Sequence, residues 1–591
     1  MYQFISFKGI SIKMKNFFTI AAVLVIAFIL SFFADIACAD SFTPNIDVFP
    51  LSDLRPGMQG EVFTVVKGLE RVSFPAEVIS IIPSPSEPKR LILIRARGPL
   101  VEKIGGIAAG MSGSPFFIDG RLVGAIGYGW DFSDHNLGLV TPIEEMSKAW
   151  DWQAKKGIEG GKVKFHESKN APLIVSGISS RGAEKISRDF KGEVEVLPFD
   201  LPVGGIAVDY DAKLQPGDSV GVLLAWGDVS VGSTGTLTAV DVEGNFLAYA
   251  HPFLNRGDVS FPLTRSWVHE VIPSIKSPFK LGSPVSIVGV VRQDRPQAIA
   301  GKIGHFPKGV EVSVKFTDDS GTTAFKRFQV VNDPFLMNQV LPGALLGLFD
   351  DLWGRAGEGT GFVTVKIEGK GFVEGISRKN VYFSDSDLIG QIVSREIMTL
   401  VPLLSLNRFK EIDPLGIHVE LQVTKQPKVV YIEKLEVPNK DNVKKGKNLD
   451  IEVTLRNFRG DPEVKKLSLK VPDNASGLCE VVARGGGIAE PSQVSLMSGW
   501  RAISSFEEFL NEIEAAESNN QVIVELLYGP LLREEDEDED FSLDEEYELV
   551  SEMKKRRMEE GTLRIFETDH YVEGLLRRCL TIIDEGSNKS R

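Results

Sequence analysis

Short apolar runs rich in β-branched residues, each closed by glycine or proline, recur along the first half of this chain and restrict it to a mainly β architecture. One set lies at 60–66, 76–82, 91–97, 115–118 and 122–128, and a second at 220–225, 235–242, 246–250 and 285–292. Runs this short do not suit ordinary helices, and Val, Ile, Thr and aromatic side chains pack well on a pleated surface. Asp119-Gly120 separates two of the runs. Both residue types tolerate positive φ, so a two-residue hairpin turn is predicted there. The 57 glycines and 31 prolines are spread along the chain and punctuate such runs throughout.

A length of 591 residues exceeds what one hydrophobic core accommodates, about 250–300 residues. The sequence divides into a leader at 1–39, a β region at 40–158, a second β region at 159–310 and a mixed α/β extension at 311–424. An immunoglobulin-like β-sandwich is expected at 425–488, with alternating strands at 448–457 and 466–471. A C-terminal region at 489–591 completes the division, with a strand at 570–583. Helices are expected at 142–155, 384–405 and 504–517. The last has Ser504 or Ser505 as cap, with Glu507 and Glu508 in its first turn. Leu54-Arg55-Pro56-Gly57 and Leu214-Gln215-Pro216-Gly217 echo each other. They mark either two related half-barrels or a recurring turn.

The N-terminus carries Lys13 and Lys15, then an apolar stretch from 17 to 33, then Ala37-Cys38-Ala39. This is the pattern of a secretory signal peptide cleaved after Ala39, and it predicts an exported chain, periplasmic or secreted. Retained, the stretch would be a membrane anchor near the lower spanning limit. The formal net charge of −15 argues against nucleic acid as a partner, because phosphate binding needs clustered cations. Ten acidic residues fall between Glu534 and Glu546 and read as a solvated loop. Outside the leader the cysteines are Cys479 and Cys579, which form either a disulfide or two free thiols. No zinc-ligand spacing, phosphate loop or dinucleotide fingerprint occurs, so neither metal nor cofactor is expected.

The segment richest in chemistry is Gly110-Met111-Ser112-Gly113-Ser114-Pro115, followed by an apolar hairpin through Trp130. Gly110 permits a turn that aims the backbone N–H groups of Gly110 and Ser112 at a developing oxyanion. Ser112 sits at the apex as candidate nucleophile, Gly113 leaves room beside it, and Pro115 starts the next strand. Ser114 is the second candidate nucleophile, better read as a hydroxyl lining the site. The segment resembles the nucleophile loop of chymotrypsin-like and HtrA-like serine peptidases. The run 137–143 resembles the strand and helix start that close the HtrA barrel.

A serine nucleophile needs a proton acceptor. The candidates are His135, His166, His251, His269, His305, His418 and His570. His251 stands at the end of a predicted strand, before Pro252-Phe253, where it projects from a barrel rim. The combination of 105–115 with the segment 232–253 resembles the SpoIVB peptidase family. That resemblance implies a chymotrypsin-like double β-barrel, a protein or peptide substrate, and Ser112 and His251 as catalytic pair, with Ala250 where the family has glycine. Two features depart from it. Serine precedes histidine here, with no PDZ segment ahead, and Arg97-Gly98 stands where an acidic residue is expected. Asp241, Asp258 and Asp131 are the conceivable orienting acids, with Asp241 put first; a backbone carbonyl is the alternative. The expected activity is therefore an exported serine endopeptidase working through a Ser-His acyl-enzyme. The alternative is a weak or inactive peptidase-like envelope protein that serves as a binding or scaffold module.

Overall fold

The structure, a computed structural model, describes residues 42–150, 167–168, 172–192, 194–199, 206–370, 372–413, 415–440, 443–487, 503–529 and 549–583. The leader, the acidic run and His166 lie outside these residues. The architecture is mainly β. Six strands close the first barrel: β1 (Gln59–Lys67), β2 (Glu70–Pro83), β3 (Arg90–Ala96), β4 (Pro115–Ile118), β5 (Arg121–Gly129) and β6 (Leu137–Pro142). Their order is β4-β1-β2-β3-β6-β5, and β5 pairs back onto β4. The turn between β4 and β5 is the predicted Asp119-Gly120, with φ of 50° and 73°. Val62, Phe74, Ile92, Ile94, Phe116, Ile126 and Val140 fill the interior. Alternation along each strand selects these residues for the inward face.

A second ring of pairings involves β7 (Ser219–Gly227), β8 (Ser230–Val240), β9 (Asn245–Ala248), β10 (Gly257–Ile272), β11 (Phe279–Arg295) and β12 (Ala298–Ile303). It runs β7-β10-β11-β12-β9-β8 and returns to β7. The sheet continues beyond the ring through Thr323–Val331, which pairs with the end of β7. Helix Pro334–Trp353 packs into the same core. Asp333 caps it by accepting from Phe335 N and Leu336 N, and Gly354 ends it at φ 65°. Helix residues 388–405 are long and apolar enough by composition to cross a membrane, with half of that window buried within the protein. The helix expected at 504–517 is Phe506–Ala515, capped by Ser505.

Two further sheets share a separate core. One holds Val429–Glu436, Asn448–Asn457, Pro462–Lys470 and Tyr571–Glu573; the other includes Gly477–Gly485, Gln521–Tyr528, Leu563–Glu567 and Leu575–Ile583. Cys479 and Cys579 are free thiols. Cys479 pairs with Leu580 and Glu480 with Cys579 across neighbouring strands, so alternation buries one thiol and exposes the other on the opposite face.

The two rings meet along a seam of small residues. Leu122 and Ala125 of the first pack with Ala239, Leu247, Ala250, Ala298 and Ala300 of the second. Backbone bonds stitch the seam: Thr236 N donates to Ser112 O (2.8 Å), and Gly68 and Val268 exchange bonds of 2.7 and 3.0 Å. Gly113 lies where the approach is tightest. It has φ 90°, and a Cβ there would come within 1.9 Å of Thr236 O and 2.5 Å of Tyr249 N. Its smallness serves the backbone of the neighbouring ring, beyond the room beside Ser112 expected from the sequence. Gly113→Ala is expected to lower stability by about 3 kcal/mol or more, from strained backbone plus a clash with atoms that cannot give way. Urea unfolding of the purified variant checks this.

Candidate active site

The loop between helix Pro99–Ile104 and β4 carries Ser112. Its N–H groups divide sharply. Met111 N donates to Ala108 O (2.9 Å), Gly113 N to Ile126 O (2.7 Å) and Ser114 N to Met111 O (2.8 Å). Among the described residues, Gly110 N and Ser112 N donate to no acceptor. Gly110 has φ 89°, a conformation that bulkier residues resist. The Ser112 hydroxyl is fully buried and also lacks a hydrogen-bond partner.

His251 follows β9 through two residues in left-handed backbone, Tyr249 (φ 68°) and Ala250 (φ 58°). Such conformations outside glycine cost about 1 kcal/mol or more and persist only where surroundings impose them. Here Tyr249 N donates to Thr236 O (3.3 Å), and Thr141 Oγ1 of β6 donates to Ala250 O (2.7 Å). Thr236 therefore bonds both segments: its N–H reaches Ser112 O and its carbonyl receives Tyr249 N. The imidazole is fully buried, with Tyr128 and Tyr249 ring centroids at 5.9 and 5.8 Å. Nδ1 is 2.6 Å from Pro252 O. A carbonyl can only accept, so Nδ1 carries the proton and Nε2 is a bare acceptor. Nε2 is buried without a partner, so it makes no hydrogen bond to Ser112 Oγ. Burial pushes the imidazole pKa down to about 4, against the opposing pull of the Pro252 carbonyl.

Asp241 is not brought to His251. Its carboxylate accepts from Glu243 N (2.8 Å), Asn245 N (2.9 Å) and Asn245 Nδ2 (2.7 Å), closing the turn between β8 and β9. Asp258 is engaged by Gln293 Nε2 (2.6 Å) and Arg295 (3.0 Å). The Ser114 hydroxyl bonds Thr64 Oγ1 (3.0 Å) and Thr236 Oγ1 (3.3 Å), away from open space. A closer serine-histidine contact exists elsewhere, Ser313 Oγ to His418 Nδ1 at 2.6 Å, with Glu368 at 3.5 Å from Nε2. It lies across neighbouring strands of an open sheet, with paired strands on both sides of Ser313 and no loop of free N–H donors.

Two residues that the sequence reading missed frame the site. Asp294, at the end of β11, is fully buried and accepts from Phe253 N (2.7 Å), Leu254 N (2.8 Å) and Arg256 N (3.0 Å). It pins the chain just beyond His251. Burial pushes its pKa up against those three donors. The other is Lys280, whose side chain runs beneath Gly110.

Residues 37–146 match the family model described as SpoIVB peptidase S55. The matched segment contains the whole Ser112 loop and the first barrel, and it ends ahead of the segment that carries His251. No curated protein and no solved structure matches the chain. Over residues 37–146 the chain is thus similar to a peptidase family.

Asp294→Ala strands three backbone donors around the His251 turn. An unsatisfied buried donor costs about 1–3 kcal/mol, so the variant is expected to lose about 3 kcal/mol or more of stability. A lowered unfolding midpoint in urea checks this; an unchanged midpoint contradicts the assigned anchoring.

Proposed function

We propose that this chain is an exported serine endopeptidase of the SpoIVB type, acting on a protein in the cell envelope. In this reading its first two rings of strands form a chymotrypsin-like double barrel. One observation carries the proposal: four buried polar groups without partners, Ser112 Oγ, His251 Nε2, Gly110 N and Ser112 N, sit on segments that Thr236 ties together. A buried polar group without a partner calls for an explanation, and a catalytic role is one such explanation.

The chemistry follows from the geometry. Ser112 Oγ attacks the substrate carbonyl while His251 Nε2 accepts its proton. The imidazolium then returns that proton to the leaving amine, and water repeats the sequence to release the acyl group. The tetrahedral oxyanion is received by Gly110 N–H and Ser112 N–H, which need no reorganisation to meet it. The Pro252 carbonyl fixes the tautomer. It supports the transient imidazolium less than a carboxylate does, so turnover is slow beside enzymes with a full triad. The signal-like leader supports export. The paired sheets of the C-terminal part suit recruitment of substrate or partner.

A non-catalytic binding module is the second reading. It is favoured by the full burial of Ser112 and His251 and by a backbone carbonyl, with no carboxylate among the described residues, on His251 Nδ1. A fluorophosphonate probe followed by intact mass separates the two. The peptidase reading expects one adduct, absent from Ser112→Ala and slowed at least about 10²-fold in His251→Ala. Folded protein that takes up no probe favours the binding module. The labelling rate is also expected to stay level from pH 7 to pH 5. Because burial favours neutral His251, the rate falls only as pH drops through about 4. A fall centred near 6.5 would show that His251 titrates as an exposed histidine.

A further inference from the structure

Lys280 has an environment that a purely structural lysine rarely tolerates. It is fully buried, and no carboxylate pairs with it among the described residues. Its Nζ donates to Thr64 Oγ1 (2.9 Å) on β1 of the first barrel and to Thr236 Oγ1 (3.1 Å) on β8 of the second. The same two threonine hydroxyls receive Ser114 Oγ. Thr236 Oγ1 in turn donates to Gly110 O at 3.1 Å. The backbone of Lys280 acts on the neighbouring peptide, since its N–H donates to Ala109 O at 2.8 Å.

These bonds fix both peptide planes flanking Gly110. In a trans peptide the N–H points opposite to the carbonyl. With Ala109 O held by Lys280 N, the N–H of Gly110 is turned away from β11. With Gly110 O held by Thr236, whose hydroxyl is held by Lys280 Nζ, the second plane cannot rotate either. An isolated buried amine is expensive, and a core of threonines around an apolar side chain would avoid that expense. Burial pushes the Lys280 pKa down to about 7.

We propose that Lys280 is a positioning residue for the oxyanion loop, locking Gly110 and Ser114 through Thr64 and Thr236 so that the Gly110 N–H stays aimed into the site. The inference rests on the peptidase reading for its purpose, but its structural content stands apart from catalysis. Lys280→Met keeps the stem and removes the amine. Thr236→Val breaks the same relay at its other end and leaves the amine with Thr64 as its acceptor.

The test is hydrogen exchange of the full chain, read by mass spectrometry, alongside melting temperature and fluorophosphonate labelling. Both variants are expected to exchange at least about 10-fold faster in the segment 107–116, with barrel strands such as 220–225 unchanged. The melting temperature is expected to hold or rise for Lys280→Met, as a costly buried amine is lost, and to fall for Thr236→Val, which takes a buried acceptor from that amine. Labelling of Ser112 is expected to slow by about 10²-fold, the scale of losing one oxyanion donor. A purely structural lysine would give the reverse for Lys280→Met, a lower melting temperature with labelling unchanged in the folded fraction. Unchanged exchange in 107–116 in both variants overturns the proposal. Faster local exchange in a chain whose wild type takes up no probe leaves the loop clamp standing and removes the peptidase reading instead.

Discussion

Everything at this site depends on two backbone bonds made by Thr236. Thr236 N–H reaches Ser112 O, and Thr236 O receives Tyr249 N–H. One residue of the second ring thereby holds the serine loop on one side and the histidine turn on the other. The seam forms only because Gly113 offers no Cβ and because alanines line the surrounding contact. The strained backbone at Tyr249 and Ala250 is imposed by the same contacts. The strain and the seam are thus one device: two segments more than a hundred residues apart cannot adopt these conformations separately.

Burial then decides the electrostatics. A histidine in water is half protonated near pH 6.5; sealed between Tyr128 and Tyr249 it stays neutral until about pH 4. That keeps a proton acceptor ready at neutral pH without a carboxylate, and it also makes the imidazolium costly. The same desolvation acts on Lys280, which lies among hydroxyls and not beside an acid. Burial thus lowers the cost of the neutral form for both His251 and Lys280 beside Ser112. Hydrogen-bond donors and dipoles act strongly in such a setting, because neither water nor counter-charge screens them.

Much of this was legible in the sequence, where local chemistry decides. Most strands of both rings fall where short β-branched runs stand, although Gly257–Ile272 and Ala298–Ile303 were not among those runs, and the Asp119-Gly120 turn and the Ser505 cap are dictated by residues within a few positions. The Gly110–Pro115 loop announced itself because each residue has a separate backbone requirement. Helix Pro334–Trp353 did not, since a helix buried on all sides has no polar face to mark its period. Its Asp333-Pro334 start and Gly354 stop were the readable signals. Asp294 and Lys280 were hidden for a different reason. Their roles come from what the barrels press against them, and a lone Asp or Lys in a strand carries no local mark of that. Asp241, put first among the conceivable orienting acids, has its carboxylate consumed by its own turn.

The most direct test of the account is a crystal structure of the full chain after reaction with a fluorophosphonate. The account predicts phosphorus bonded to Ser112 Oγ. One phosphoryl oxygen should lie about 2.7–3.1 Å from both Gly110 N and Ser112 N, with His251 Nε2 facing the modified serine. An adduct on another residue, or a phosphoryl oxygen turned away from those two N–H groups, would contradict it.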